Sequence, residues 1–294
     1  MKKWICLLLC LMTLPLPGLG EEALPPREYE EFTHKAYMTY DSETLKYRIE
    51  TFLIQGVRCY LAKVWVRDPA RQIRKATADW KQNIQLPKEM VTKIPDAVLA
   101  INGSGYWNPT YPDVPEEYPG EVSDYFYTSW GSLTVTDGEV LRNLEELPYY
   151  GLTLEADGLN MYTGESTDRV LAANPLQTWS FRNLCPLQRN GEILTPEDWT
   201  FAEKKARRTV IGRVDQNNYL ILCVSDEGGL GLTLHKVNAF FSKYFQTEWL
   251  YNLDGGPSSA LMARKKGAKK LRTVMGGAAK DFDLMVFTEL PASE

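Results

Sequence analysis

The sequence predicts a single domain of the mixed α+β class, with a largely antiparallel sheet, β-hairpins in the middle and a strand–helix–strand crossover near the C-terminus. Three observations carry this. Short apolar runs of strand length recur along the chain. Asp-Gly or Asn-Gly pairs stand between such runs at 137–138, 157–158 and 190–191. One helical period (Leu234, Val237, Phe241, Tyr244, Phe245) lies between two apolar runs near the end. The 294 residues are 44% hydrophobic and 24% charged, which suits a substantial core.

The first segment reads as targeting rather than structure. Lys2 and Lys3 precede an apolar run, Trp4 to Leu14, that is too short to span a bilayer comfortably. Pro15, Pro17 and Gly18 break it, and Gly18-Leu19-Gly20 offers small residues where a signal peptidase reads. The expectation is a signal peptide over 1–20, cleaved after Gly20. The mature chain would then be secreted or extracytoplasmic, with no membrane span. Residues 21–45, marked by Pro25-Pro26, read as an extension with weak structure, and 46–294 as the globular domain.

Within the domain, Tyr60, Ala62, Val64 and Val66 alternate with Leu61, Lys63 and Trp65, a strand with one more apolar face. Ala97 to Ile101 is a buried strand that stops at Asn102-Gly103. Asn108 to Tyr125, rich in Pro and Tyr, reads as a long loop of the kind that borders a site. The Asp-Gly and Asn-Gly pairs favour the turn that matches strand twist. Thr209 to Arg213 and Tyr219 to Val224 read as a hairpin around Asp215-Gln216-Asn217-Asn218. Thr233 is a candidate N-cap for the helix, and Glu248 to Leu253 is a further strand. Strand, helix, strand implies that Tyr219 to Val224 and Glu248 to Leu253 are parallel neighbours. Asp226 and Asp254 would then follow two strands at one end of the sheet, where ligands of open α/β sheets commonly bind.

Three local features carry chemistry. Asn252-Leu253-Asp254-Gly255-Gly256-Pro257-Ser258-Ser259 sets a carboxylate at a strand end, then a turn whose glycines admit close approach and whose N–H groups can form an anion nest. Asn102-Gly103-Ser104-Gly105 is a second polar turn after a buried strand. Arg207-Arg208-Thr209 brings guanidinium groups, suited to phosphate, to the start of a third. Each motif taken alone reads equally as a plain turn or a solvated strand end.

Taken in this order, with Asp226 between the last two, these residues resemble the phosphodiester glycosidase family. Tyr60-Leu61-Ala62-Lys63-Val64 is similar to the family's opening strand. Ala100-Ile101-Asn102-Gly103 matches its Ala-Ile-Asn-Gly signature, and Arg208-Thr209-Val210-Ile211-Gly212 its Arg-Thr-Ala-Ile-Gly stretch. Gly231-Leu232-Thr233-Leu234 opens the expected helix, and Asn252 to Ser259 is similar to Asn-Leu-Asp-Gly-Gly-Gly-Ser-Ser. Two departures stand out: Pro257 replaces a third glycine, and Ser104-Gly105-Tyr106 replaces Gly-Phe-Phe.

The resemblance implies an exported hydrolase that cleaves the sugar–phosphate bond of a glycosyl phosphodiester, its sugar of the N-acetylglucosamine type or part of an envelope polymer or exopolysaccharide. Asp254 or Asp226 would act at the anomeric side and Arg208 on the phosphate. Asn102, Gly103, Gly255, Gly256, Ser258 and Ser259 would bind substrate. The residues name no definite cofactor, and clustered Asp and Asn oxygens leave room for Ca²⁺ or Mg²⁺. Two other readings stay open: a binding module for phosphorylated glycans, and a phosphodiesterase that attacks phosphorus.

Several classes are excluded. The net charge is −5, and 31 basic against 38 acidic side chains leave −7 once Lys2 and Lys3 are removed, so a nucleic-acid partner is not expected. His34 and His235 alone do not build a Ser-His-Asp triad, and no zinc ligand spacing exists. Cys59 and Cys223 are expected as buried free thiols, with a disulfide through Cys185 left open.

Overall fold

The computed structural model describes residues 35–78, 84–106, 131–181 and 185–291. The segment expected as a signal peptide, 1–20, and the stretch Asn108–Tyr125 expected as a loop lie outside the described residues. The chain opens with β1 (Lys35–Asp41), β2 (Leu45–Ile54) and β3 (Val57–Val66), successive antiparallel neighbours. β1 corrects the expectation that residues up to 45 have weak structure. Met38 and Tyr40 alternate inward from a polar outer face, and Tyr40 stacks on Tyr47. A helical turn α1 (Pro69–Gln72) leads to β4 (Ile73–Thr77), and α2 (Pro87–Met90) precedes β5 (Ala97–Asn102).

The middle is antiparallel, as its turn residues predict. β6 (Leu133–Thr136) and β7 (Glu139–Asn143) close around Asp137-Gly138, whose φ values of 51° and 79° are those of the twist-matched turn. β8 (Tyr149–Glu155) and β9 (Gly158–Glu165) form the second hairpin, followed by α3 (Thr167–Ala172) and β10 (Gln177–Ser180). β11 (Pro186–Arg189) and β12 (Glu192–Ile193) flank Asn190-Gly191.

After α4 (Thr200–Glu203) come β13 (Arg208–Arg213), β14 (Asn218–Val224), α5 (Leu234–Tyr244) and β15 (Trp249–Asn252). Thr233 caps α5 by accepting from the Lys236 N–H. β16 (Ala260–Ala263), β17 (Arg272–Gly276) and β18 (Asp283–Thr288) complete the chain.

Among the described residues three sheets result, in the orders β1-β2-β3-β14-β13-β15-β11-β12, β7-β6-β10-β8-β9 and β17-β16-β5-β18-β4. One face of the long sheet packs Phe52, Leu61, Val210, Leu222 and Leu250 against Val237, Phe240 and Phe241 of α5. Its other face joins the two smaller sheets in a common core through Ile49, Ile101, Trp179, Ile211, Tyr251 and Met285. No helix of the described residues is long and apolar enough to cross a membrane.

The crossover departs from expectation in one respect. β14 and β15 run parallel but are not neighbours, because β13 lies between them, antiparallel to both. β14 has two edges; β13 takes one through its tight hairpin and β3 takes the other. No edge is left for β15. The strand ends still come together, since the C-terminal ends of β14 and β15 flank the start of β13 at Arg208.

Candidate active site

At that end of the long sheet, the Asn102 turn and the Asp254 turn meet. Asn102 is fully buried. Its Nδ2 donates to the Asp254 carbonyl at 2.7 Å, while its Oδ1 accepts from Thr209 Oγ1 at 2.6 Å and from the Ala260 N–H at 3.0 Å. The Asp254 N–H in turn donates to the Gly103 carbonyl at 3.1 Å. One amide therefore locks β5, β13 and the Asp254 turn together. The acceptor and one donor of Asn102 are thus committed to protein.

Asp254 is half-buried, and its Oδ1 accepts from the Gly255 N–H at 2.7 Å. The glycines do not form the expected anion nest. The Gly256 N–H donates to the Arg207 carbonyl, those of Ser258 and Ser259 donate to the Gly255 and Gly256 carbonyls, and Pro257 has none. Every N–H of the turn is spent internally. Ser259 is fully buried and Ser258 nearly so, which removes both hydroxyls from the exposed surface. What glycine gives here is space and, at Gly256 with φ 60°, a left-handed turn residue.

Arg208 lies beneath this turn and is 1% exposed. Its Nε donates to the Leu232 carbonyl at 3.4 Å, its Nη2 donates to those of Phe201 and Lys204 at 3.1 and 2.7 Å, and the guanidinium lies over the Phe201 ring. Nη1 has no hydrogen bond among the described residues and packs under Gly255, 4.0 Å from where a Cβ would sit. Burial pulls its pKa down to about 10, so it remains a cation at neutral pH, with no acidic partner among the described residues. Arg207 points outward and approaches Asp226, its Nε 3.8 Å from Oδ2, with the Asp226 side chain 63% exposed. Asp226 thus stands at the rim.

Sequence reasoning missed a second layer. Asp283, fully buried, accepts from Ser104 through its N–H at 2.6 Å and its Oγ at 2.8 Å, and lies 3.7 Å from Lys75 Nζ. Lys75 also donates to the Val135 carbonyl and sits over the Trp179 ring. Gly103 is required by this layer, because a Cβ there would collide with the Asp283 carboxylate and with Trp179. Two residues earlier, Asp281 is 2% exposed, and neither of its carboxylate oxygens has a hydrogen-bond partner among the described residues. Burial, then the nearby Asp254, raise its pKa well above the usual carboxylate value. The available signal was Asp281-Phe282-Asp283, carboxylates leading into the apolar run Leu284 to Phe287.

Among the described residues no group of three or more His, Cys, Asp or Glu is arranged to hold a metal ion. A cavity of about 500 Å³ lined by Arg71, Arg74, Asp137 and Glu289 shares no residue with this site.

The phosphodiester glycosidase family model matches residues 95–281, a span that contains Asn102, Arg207, Arg208, Asp226, Asp254 and Asp281. Among curated proteins the sequence finds no match. Two solved structures are similar in fold. The catalytic domain of zebrafish N-acetylglucosamine-1-phosphodiester alpha-N-acetylglucosaminidase, auto-inhibited by its pro-peptide, aligns over 88% of this chain and 89% of its own, with TM-score 0.62 and 17% identity. A hypothetical protein from Synechocystis aligns over 85% of this chain and 63% of its own, with TM-score 0.55 and 12% identity.

Proposed function

The chain belongs to the phosphodiester glycosidase family, and from that premise we propose that it is an exported hydrolase that cleaves the bond between an anomeric carbon and a phosphate oxygen in a phosphodiester-linked glycan. The observation that carries this reading is the pairing at the Asp254 turn. A half-buried carboxylate stands next to a glycine beneath which lies a cation with no acidic partner among the described residues. An anion resting over Gly255 meets Arg208 Nη1, and the sugar attached to it then faces Asp254.

The chemistry suits so few groups. The departing group is a phosphate monoester, which accepts the electrons of the breaking C–O bond without a proton. Hydrolysis of an ordinary glycosidic ether needs a second carboxyl as acid. Asp254 supplies the base that activates water, or itself attacks the anomeric carbon. Arg208 holds the phosphate and stabilises its growing charge. With the backbone N–H groups of the turn committed, this task falls to the guanidinium. Asp226, on the rim with Arg207, is the alternative carboxylate. Export rests on the Lys2–Leu14 segment and Gly18-Leu19-Gly20.

Turnover of a synthetic glycosyl phosphodiester in water enriched in heavy oxygen tests the reaction. Label in the released sugar is expected. Label in the phosphate would move attack to phosphorus. Binding without release would make the protein a recognition module.

A further inference from the structure

We propose that Asp281 is a buried carboxylic acid that carries the proton of a carboxyl pair with Asp254 and positions that residue as the single negative charge of the site. The inference rests on the reading of Asp254 as the acting carboxylate.

Sheet register brings the two together. Leu284 on β18 is paired with Asn102 on β5, and β16, on the other side of β5, delivers the Ala260 N–H to Asn102 Oδ1. The segments that run past this sheet end are therefore 281–283, 103–105 and 254–259. The Gly103 N–H donates to the Asp283 carbonyl, and the Gly103 carbonyl accepts from Asp254. Asp281 is fixed by backbone bonds in both directions with Gln85. Its side chain is buried and both oxygens are unpartnered, an arrangement that an ionised carboxylate does not tolerate away from water.

The charged and titratable groups that act on Asp281 are Asp254 and Asp283, both of which oppose its ionisation. The Ser258 hydroxyl favours the ionised form but lies outside hydrogen-bond geometry. Lys75 is spent on Asp283, and Lys280, next in sequence, is exposed. Among the described residues no cation answers Asp281. The missing positive charge is a proton or a bound ion, and the absence of a third acidic, His or Cys ligand among the described residues favours the proton. A carboxyl kept neutral in this way is a hydrogen-bond donor. It keeps negative charge on Asp254 alone, where a second charge would repel the substrate's phosphate.

Carbon-13 NMR of protein labelled at the aspartate carboxyl carbons, assigned with Asp281→Asn and Asp254→Asn, tests this without substrate. Asp281 is expected in its protonated form at neutral pH. Asp254 should titrate alike in wild type and Asp281→Asn, which keeps a donor, and at higher pH in Asp281→Ala. An ionised Asp281 at neutral pH, or an Asp254 titration that ignores both variants, would overturn the proposal. So would calcium or magnesium raising the melting temperature of wild type but not of Asp281→Asn. Turnover adds the functional arm. Asp281→Asn should stay active and lose the alkaline limb of the pH–rate profile, whereas Asp281→Ala falls about tenfold or more, the scale of one hydrogen bond to a charged group. Unchanged profiles would leave Asp281 no positioning role. If wild type turns over no glycosyl phosphodiester at all, the proposed reaction fails while the NMR result still decides the protonation.

Discussion

The two sides of the Asn102–Ser104 turn are built from the same materials to opposite ends. Behind it, Asp283 is fully buried and answered by two bonds from Ser104 and by Lys75, which itself reaches a carbonyl and an indole face. In front, Asp281 is equally buried and has no hydrogen-bond partner or cation among the described residues, Arg208 has no acid among them, and Asp254 is half-buried. The contrast teaches where to look for chemistry. A protein that can satisfy a buried carboxylate does so two residues away from one it leaves unsatisfied. The satisfied side fixes geometry, and the other side is where the proposed proton, anion and sugar would act.

The comparison breaks most sharply at Asp254. Asp254→Asn keeps shape and removes charge, so turnover should fall by about 10²- to 10⁴-fold while the melting temperature stays near wild type. Near-normal turnover would pass the role to Asp226. The rear side should show the reverse pattern. Lys75→Met leaves Asp283 buried without its cation, and urea unfolding should report a loss of about 3–5 kcal/mol. Lys75→Met combined with Asp283→Leu should regain much of it. If the single change costs nothing, the rear pair is not what holds the turn.

Arg208→Lys should lower turnover by about 10²-fold, because a compact ammonium cannot keep three carbonyls and still meet the phosphate. Unfolding measured alongside separates this from lost packing. Asp281 and Asp283 both have raised folded-state pKa values. The stability each contributes is complete below the unfolded pKa and is lost as pH rises through the folded pKa. Between those limits each removes up to about 1.4 kcal/mol per pH unit. Asp281→Asn should therefore flatten the decline of stability with rising pH, and an unchanged slope would show that Asp281 is ionised throughout. The smallest effect is expected at Arg207. Arg207→Ala should change turnover by less than about fivefold, the scale of an exposed ion pair. If it is the damaging change while Arg208→Lys is silent, the phosphate sits at the rim.

Much of the frame was legible because its signals are local. The end of β5 at Asn102, the β13–β14 hairpin and the capped α5 each follow from a few adjacent residues. The crossover misled because periodicity names strands and not their edges, and the hairpin had already taken the edge that β15 would need. β1 was missed because its outer face is polar. Asn102 and Asp254 were visible as side chains at strand ends, but the hydrogen bonds around them were not. Asn102 is consumed by partners as far away as Ala260, and the Gly-Gly turn looks rich in donors until their carbonyl acceptors are seen. The Lys75–Asp283 pair is joined only by the β4–β18 register, across most of the chain.

The three thiols of the domain offer a use of their own. Cys59, Cys185 and Cys223 are fully buried and unoxidised, and burial raises the pKa of Cys59 and pushes that of Cys223 up to about 12. Cys59 and Cys223 stand on the central strands β3 and β14, while Cys185 accepts from Asn252 Nδ2 at the strand end that leads into Asp254. A thiol reagent can react only when the chain opens. Followed residue by residue, labelling becomes a clock with two hands. Cys185 times the breathing of the Asp254 end of the sheet, and Cys59 with Cys223 times the rupture of the whole domain. A ligand that settles over Gly255 should slow the first hand before it slows the second.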